Sequence, residues 1–200
     1  MKLALFALLI AVPLSAHRLD EYLQATLLSL HAAWVTAEMT LTPGVAVWPE
    51  LLKSIDTNGD GAVSESEQRV YADRVLRELS LIVDGHRLSP QLVSVAFPEA
   101  VELAEGRGEI RVDYDARLPE GRGARRLQLE NRHESKIAAY QVNVLAPTEA
   151  GLEIVEQKRN ATQSEYEVAF RQPGTSTWVP AWAGLVLLGV VVVTYHHQHG

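Results

Sequence analysis

The chain has 200 residues, 47% hydrophobic and 22% charged, with 18 Lys and Arg against 25 Asp and Glu and no Cys. Every acidic residue, and every basic one except Lys2, falls within residues 17–177, so this central stretch carries a net charge of −8. An acidic chain with no basic run argues against a nucleic-acid partner, because phosphates call for clustered Lys and Arg. The lack of Cys excludes disulfides, thiolate metal sites and a cysteine nucleophile.

In chain order, residues 1–16 begin with Met1 and Lys2, continue through an apolar run from Leu3 to Val12 and end in Pro13-Leu14-Ser15-Ala16. A positive start, about ten apolar residues and a small terminal residue are the pattern of a secretory signal peptide cleaved after Ala16. The run is shorter than the roughly 20 residues a bilayer-spanning helix needs. Residues 17–170 are then expected to form one exported domain.

Within that domain, alternation of apolar and polar side chains predicts strands. It is clearest at Ile110, Val112, Tyr114, Ala116 and Leu118, and recurs at Tyr140, Val142, Val144 and Ala146 and at Tyr166, Val168 and Phe170. Further strands are expected at residues 22–30, 34–41, 80–84, 91–97, 125–131 and 152–158. Turn signals separate them at Asp84-Gly85, Pro98, Gly106 to Gly108, Pro119 to Gly123, Pro147 and Gly151. Only residues 49–79 have helical spacing, with Tyr71, Val75 and Leu79 on one face and Leu76 beside them. The expected fold is mainly β, an antiparallel β-sandwich carrying a helical insert.

Residues 171–177 read as a polar linker, and Trp178 to Tyr195 as an uncharged apolar run. Eighteen helical residues cover about 27 Å, just enough for a hydrocarbon core, and Trp178, Trp182 and Tyr195 stand where interfacial aromatics belong. The expected arrangement is a single transmembrane helix at 178–195 and a cytoplasmic tail at 196–200. The main domain then lies outside the cytoplasm, in the periplasm if the cell is a Gram-negative bacterium.

The most specific motif lies between the two halves of the helical insert. Asp56-Thr57-Asn58-Gly59-Asp60-Gly61-Ala62-Val63-Ser64-Glu65-Ser66-Glu67 fits a twelve-residue EF-hand loop. Ca²⁺ takes about seven oxygens from such a coiled loop. Asp56, Asn58 and Asp60 stand at positions 1, 3 and 5, and Ala62 offers its carbonyl at position 7. Ser64 reaches in at position 9, and Glu67 closes the site at position 12. Gly61 permits the sharp turn, and Val63 is the apolar residue at position 8. Pro49 can start a short entering helix, and Ser64 or Glu65 the exiting one. With three carboxylates, one amide and one hydroxyl, and no second loop to pair with, the site suits a constitutive Ca²⁺ that orders the insert of an interaction module.

A longer similarity concerns the order of parts. His17-Arg18-Leu19-Asp20-Glu21-Tyr22-Leu23, a strand pair, the helical segment with Asp56 to Glu67 and a strand ending Val83-Asp84-Gly85 together resemble the exported N-terminal region of HupE/UreJ-type membrane proteins. That resemblance implies a link to nickel or cobalt handling and a membrane transporter as partner. Those proteins continue into several spans where this chain has one apolar run, so transport itself is not carried over. Signal cleavage would leave His17 as a terminal amine beside an imidazole, a ready chelate for Cu²⁺ or Ni²⁺. His196, His197 and His199 form a second potential transition-metal group. His31, His86 and His133 are isolated in sequence and read as exposed or hydrogen-bonded side chains. No G-x-S-x-G, H-E-x-x-H or phosphate-loop pattern is present. The cluster Asn131-Arg132-His133-Glu134 reads as a solvated turn, and catalysis is not expected.

Overall fold

The structure, a computed structural model, describes residues 20–173. The signal peptide, His17, the apolar run 178–195 and the histidines of the tail lie outside these residues. Ten strands form two five-stranded sheets. The strands are β1 (Tyr22–Leu30), β2 (Trp34–Pro43), β3 (Leu79–Val83), β4 (His86–Arg87), β5 (Gln91–Ala96), β6 (Ile110–Arg117), β7 (Gly123–Asn131), β8 (Ala138–Val144), β9 (Glu153–Arg159) and β10 (Glu165–Gln172). The helices are α1 (Trp48–Ile55), α2 (Glu65–Arg77) and the short α3 (Ala100–Ala104). One sheet runs β5-β6-β2-β1-β8 and the other β4-β3-β7-β10-β9.

Alternation works as expected in most strands. On β6, Ile110, Val112, Tyr114 and Ala116 are buried while Arg111 and Arg117 face solvent; on β10, Tyr166, Val168 and Phe170 turn inward. Leu28, Met39 and Leu41 of the first sheet and Leu81, Leu127 and Leu129 of the second belong to one buried apolar cluster, so the two layers share a core. Asp84 and Gly85 close the β3–β4 hairpin with φ of 50° and 81°, the two positive values that a two-residue hairpin turn needs.

The expectation of a wholly antiparallel arrangement is corrected at one pair: β1 and β8 run parallel, Tyr22 beside Ala138 through Leu28 beside Val144. The cause is the route of the chain. Strand β7 ends at Asn131, paired with Leu79 at the helical end of the molecule. The short connection 132–137 then delivers β8 to the end at which β1 begins, as the bond from the Tyr22 amide to the Ile137 carbonyl shows. A second correction concerns the exiting helix, which stops at Arg77 and does not reach Leu79. Leu79 opens β3, where ladder pairing to Asn131 takes over the backbone. Strand β4 and helix α3 are additions that the sequence reading did not anticipate.

Both helices of the insert show why they form. Trp48, Leu51 and Ile55 make the buried stripe of α1, which has Pro49 in its first turn, where a missing N–H costs nothing. Helix α2 starts with a full capping box: Ser64 accepts from the Glu67 amide, and the Glu67 carboxylate reaches back to the Ser64 amide. Its buried face, Tyr71, Ala72, Val75 and Leu76, packs toward β5 and β3.

The described strands give the molecule two distinct ends. The helical end holds α1, the 56–67 loop, the start of β1 and the β7–β8 connection. The opposite end holds the β1–β2 hairpin at residues 31–33, the β3–β4 turn, the 118–122 turn and the loop 145–151. Strand β10 finishes there, its Gln172 amide group donating to the Ala32 carbonyl at 2.6 Å.

Candidate functional site

The 56–67 loop is closed by its own acidic side chains. Asp56 sits at the C-cap of α1, and its carboxylate accepts from the amides of Gly59 at 2.7 Å, Asp60 at 3.2 Å and Gly61 at 2.8 Å. Asn58 accepts from the Asp60 amide, Asn58 donates to the Asp60 carboxylate, and Asp60 accepts from the Ala62 amide. Asx contacts of this kind fold the backbone into a tight turn. Gly59 and Gly61 supply the left-handed conformations it needs, with φ of 73° and 81°.

Glu67 spans the whole loop. One carboxylate oxygen accepts from the Thr57 amide at 2.7 Å and the Thr57 hydroxyl at 2.9 Å, and the other accepts from the Ser64 amide at 2.9 Å and hydroxyl at 2.8 Å. Four donors on one carboxylate favour its charged form. The bonds from Ser64 and then Thr57 hold Glu67 down at about 2, against 4.5 for a free carboxyl.

The donor set is all oxygen, hard ligands that suit Ca²⁺ or Mg²⁺ over softer metals. Its present geometry turns these oxygens onto backbone amides. Among the described residues no three His, Asp or Glu side chains converge on a common point for a metal. An ion held here would exchange amide contacts for coordination at Asp56, Asp60 and Glu67. Beside the loop lies a cavity of about 320 Å³ whose lining includes Trp48, Leu52, Gly61, Val63, Phe97 and Leu103.

A second polar constellation was not legible in the sequence. His133 is hydrogen-bonded, one of the two states expected of it, but the solvated turn expected at 131–134 is corrected: His133 is 0% exposed and Asn131 is buried with it. His133 Nδ1 lies 2.5 Å from the Glu78 carboxylate, and Nε2 lies 3.0 Å from the Tyr71 hydroxyl, which in turn bonds the Tyr22 hydroxyl. Gln24 and Tyr140 both donate to the His133 carbonyl at 2.9 Å, and Asn131 ties the His133 amide to Gln24. Burial pushes the imidazole below its usual value against the pull of Glu78, so the neutral ring is favoured. One proton arrangement then satisfies every group: Nδ1–H donates to Glu78, Tyr71 donates to Nε2, and Tyr22 donates to Tyr71. Burial raises both tyrosines as well, keeping them protonated donors.

This chain joins β1, α2 and the β7–β8 connection, and its members are far apart in sequence. A local hint was the polar pair Gln24 and Thr26 in the inward row of β1. With His133 0% exposed, these hydrogen bonds fasten α2 to β1 and to the β7–β8 connection. The other described histidines are engaged elsewhere: His31 Nδ1 contacts Glu149 at 3.1 Å, and His86 Nδ1 contacts the Asp84 carbonyl at 3.2 Å. No known family profile, curated protein or solved structure matches this chain.

Proposed function

We propose that the chain is an exported, membrane-anchored domain that binds Ca²⁺ through an EF-hand loop at residues 56–67 and serves as an interaction module. The ligands are the side chains of Asp56, Asn58, Asp60, Ser64 and Glu67 with the Ala62 carbonyl, and the ion orders the insert between the two helices. The observation that carries this reading is the role of Glu67. The carboxylate at position 12 already ties the start of the loop at Thr57 to its end at Ser64 and caps α2. A cation held by the same carboxylate therefore acts on the helix that Tyr71 and Glu78 fasten to the core.

The experiment is a thermal melt of the purified domain with Ca²⁺ and with chelator. An ion that binds only the folded form contributes about 2.7 kcal/mol at 100 times Kd. The expected result is a higher midpoint with Ca²⁺ that is lost in Glu67→Gln; the same midpoint with and without Ca²⁺ in the parent protein removes the reading. A many-span transporter co-purifying with the full-length chain would move the assignment toward nickel, cobalt or copper handling.

A further inference from the structure

We infer that the end of the domain opposite the calcium loop is a lipid-facing surface, with Trp34, Leu145 and Arg117 seated in the headgroup layer of the bilayer. The inference rests on the proposed anchor at 178–195 and adds which surface the membrane meets. Strand β10 delivers the chain at that end, where Gln172 bonds both the Ala32 carbonyl and the Arg125 guanidinium. Only four residues, 174–177, separate Pro173 from the apolar run. Fully extended, the five Cα steps from Pro173 to Trp178 reach about 17 Å. The headgroup region is roughly 5–8 Å deep on each side, so even a fully extended linker keeps Pro173 within about 12 Å of its outer edge.

The surface there has the matching chemistry. Trp34, which opens β2, is 42% exposed, and Leu145, which directly follows β8, is 47% exposed; β2 and β8 are the two strands that flank β1. Trp34 belongs to the outward row of β2, and the Leu145 amide bonds the Leu28 carbonyl of β1. Arg117 stacks its guanidinium 5.7 Å from the centroid of the Trp34 ring and makes no ion pair with a carboxylate of the described residues. An indole with a polar tip beside a free guanidinium suits the boundary where acyl chains meet phosphates. Two of the acidic side chains at this end are internally engaged: Asp84 by Arg125 and the Arg126 amide, Glu149 by His31 and the Ala32 amide. Residues 49–79, which include the 56–67 loop at the other end, hold seven carboxylates against four basic side chains.

The chain has no Cys, so single-cysteine variants give clean labelling. The full-length chain, reconstituted in vesicles of phosphatidylcholine with phosphatidylglycerol, is spin-labelled in turn at Leu145→Cys, Val70→Cys and Leu188→Cys. Accessibility to oxygen, which concentrates in lipid, is compared with accessibility to a water-confined nickel chelate. The expected pattern is lipid exposure at 188, headgroup depth at 145 and full water exposure at 70, which lies on α2 and is 61% exposed. Arg117→Glu is expected to move the label at 145 toward water while leaving that at 188 unchanged. A water-exposed 145 together with a lipid-exposed 188 overturns the surface and leaves the anchor standing. A water-exposed 188 overturns the anchor, and the surface with it.

Discussion

Glu67 and His133 are two titratable groups that the fold holds in one charge state each, and they separate on the pH axis. His133 has its folded value lowered below 6.5 by burial. As pH falls below 6.5 the unfolded chain takes up a proton that the folded chain refuses, so stability drops toward a slope of about 1.4 kcal/mol per pH unit. Glu67 is also depressed, to about 2; its contribution is complete above about 4.5 and fades as pH falls from there toward 2. Denaturation midpoints measured from pH 8 to 3 should therefore decline in two steps, and His133→Phe should lose the upper one. That variant also strands Glu78 and Tyr71, and should cost about 3 kcal/mol at neutral pH. Tyr114 gives the opposite case: its hydroxyl is buried on β6 with no partner among the described residues. Tyr114→Phe should leave stability unchanged or raise it, since no hydrogen bond is lost. Gly61 combines open space with a φ of 81°; Gly61→Ala should cost about 1–2 kcal/mol through conformation alone and weaken Ca²⁺ binding in a calorimetric titration.

At the scale of elements, α2 is where local and long-range forces meet. Its start is fixed locally by the Ser64–Glu67 capping box, and Ser64→Ala should cost about 1 kcal/mol in chemical denaturation even with chelator present. Its far end is fixed by Glu78 on His133, a contact that no local pattern announces. The same division decides what was legible in the sequence. Strands β6 and β10 alternate cleanly because each buries one apolar row, and the twelve-residue loop stands out because its residue types are forced by position. Strand β1 was faint because its inward row mixes Tyr22, Gln24 and Thr26 with Leu28 and Leu30, while Leu23, Ala25 and Leu27 face outward. Of the inward polar groups, Tyr22 and Gln24 are there to meet Tyr71, His133 and Asn131. A one-dimensional pattern cannot show partners supplied from residues 71, 131 and 133. The two-residue β4 escaped notice because it is too short to alternate.

At the scale of the whole molecule, the 56–67 loop and the exit of β10, to which the proposals assign function, lie at opposite ends. Nine residues of β1 separate these ends by about 30 Å. In the proposed orientation a partner meets the calcium loop well away from the bilayer. The parallel β1–β8 pair carries a further consequence, in time rather than space. Strand β1 lies inside its sheet, yet one of its two neighbours is not synthesised until residue 138. A chain threading out N-terminus first therefore presents β1 and β2 with one edge open until nearly three-quarters of the sequence has crossed. Pairing at such sequence separation is slow, and an open strand edge recruits other chains. A chain ended at residue 131 should remain protease-sensitive and self-associate, whereas one ended at residue 173 should fold; limited proteolysis and light scattering on the two would read the difference. If exported as proposed, this domain emerges as an unfinished sheet, whose closing strand arrives late.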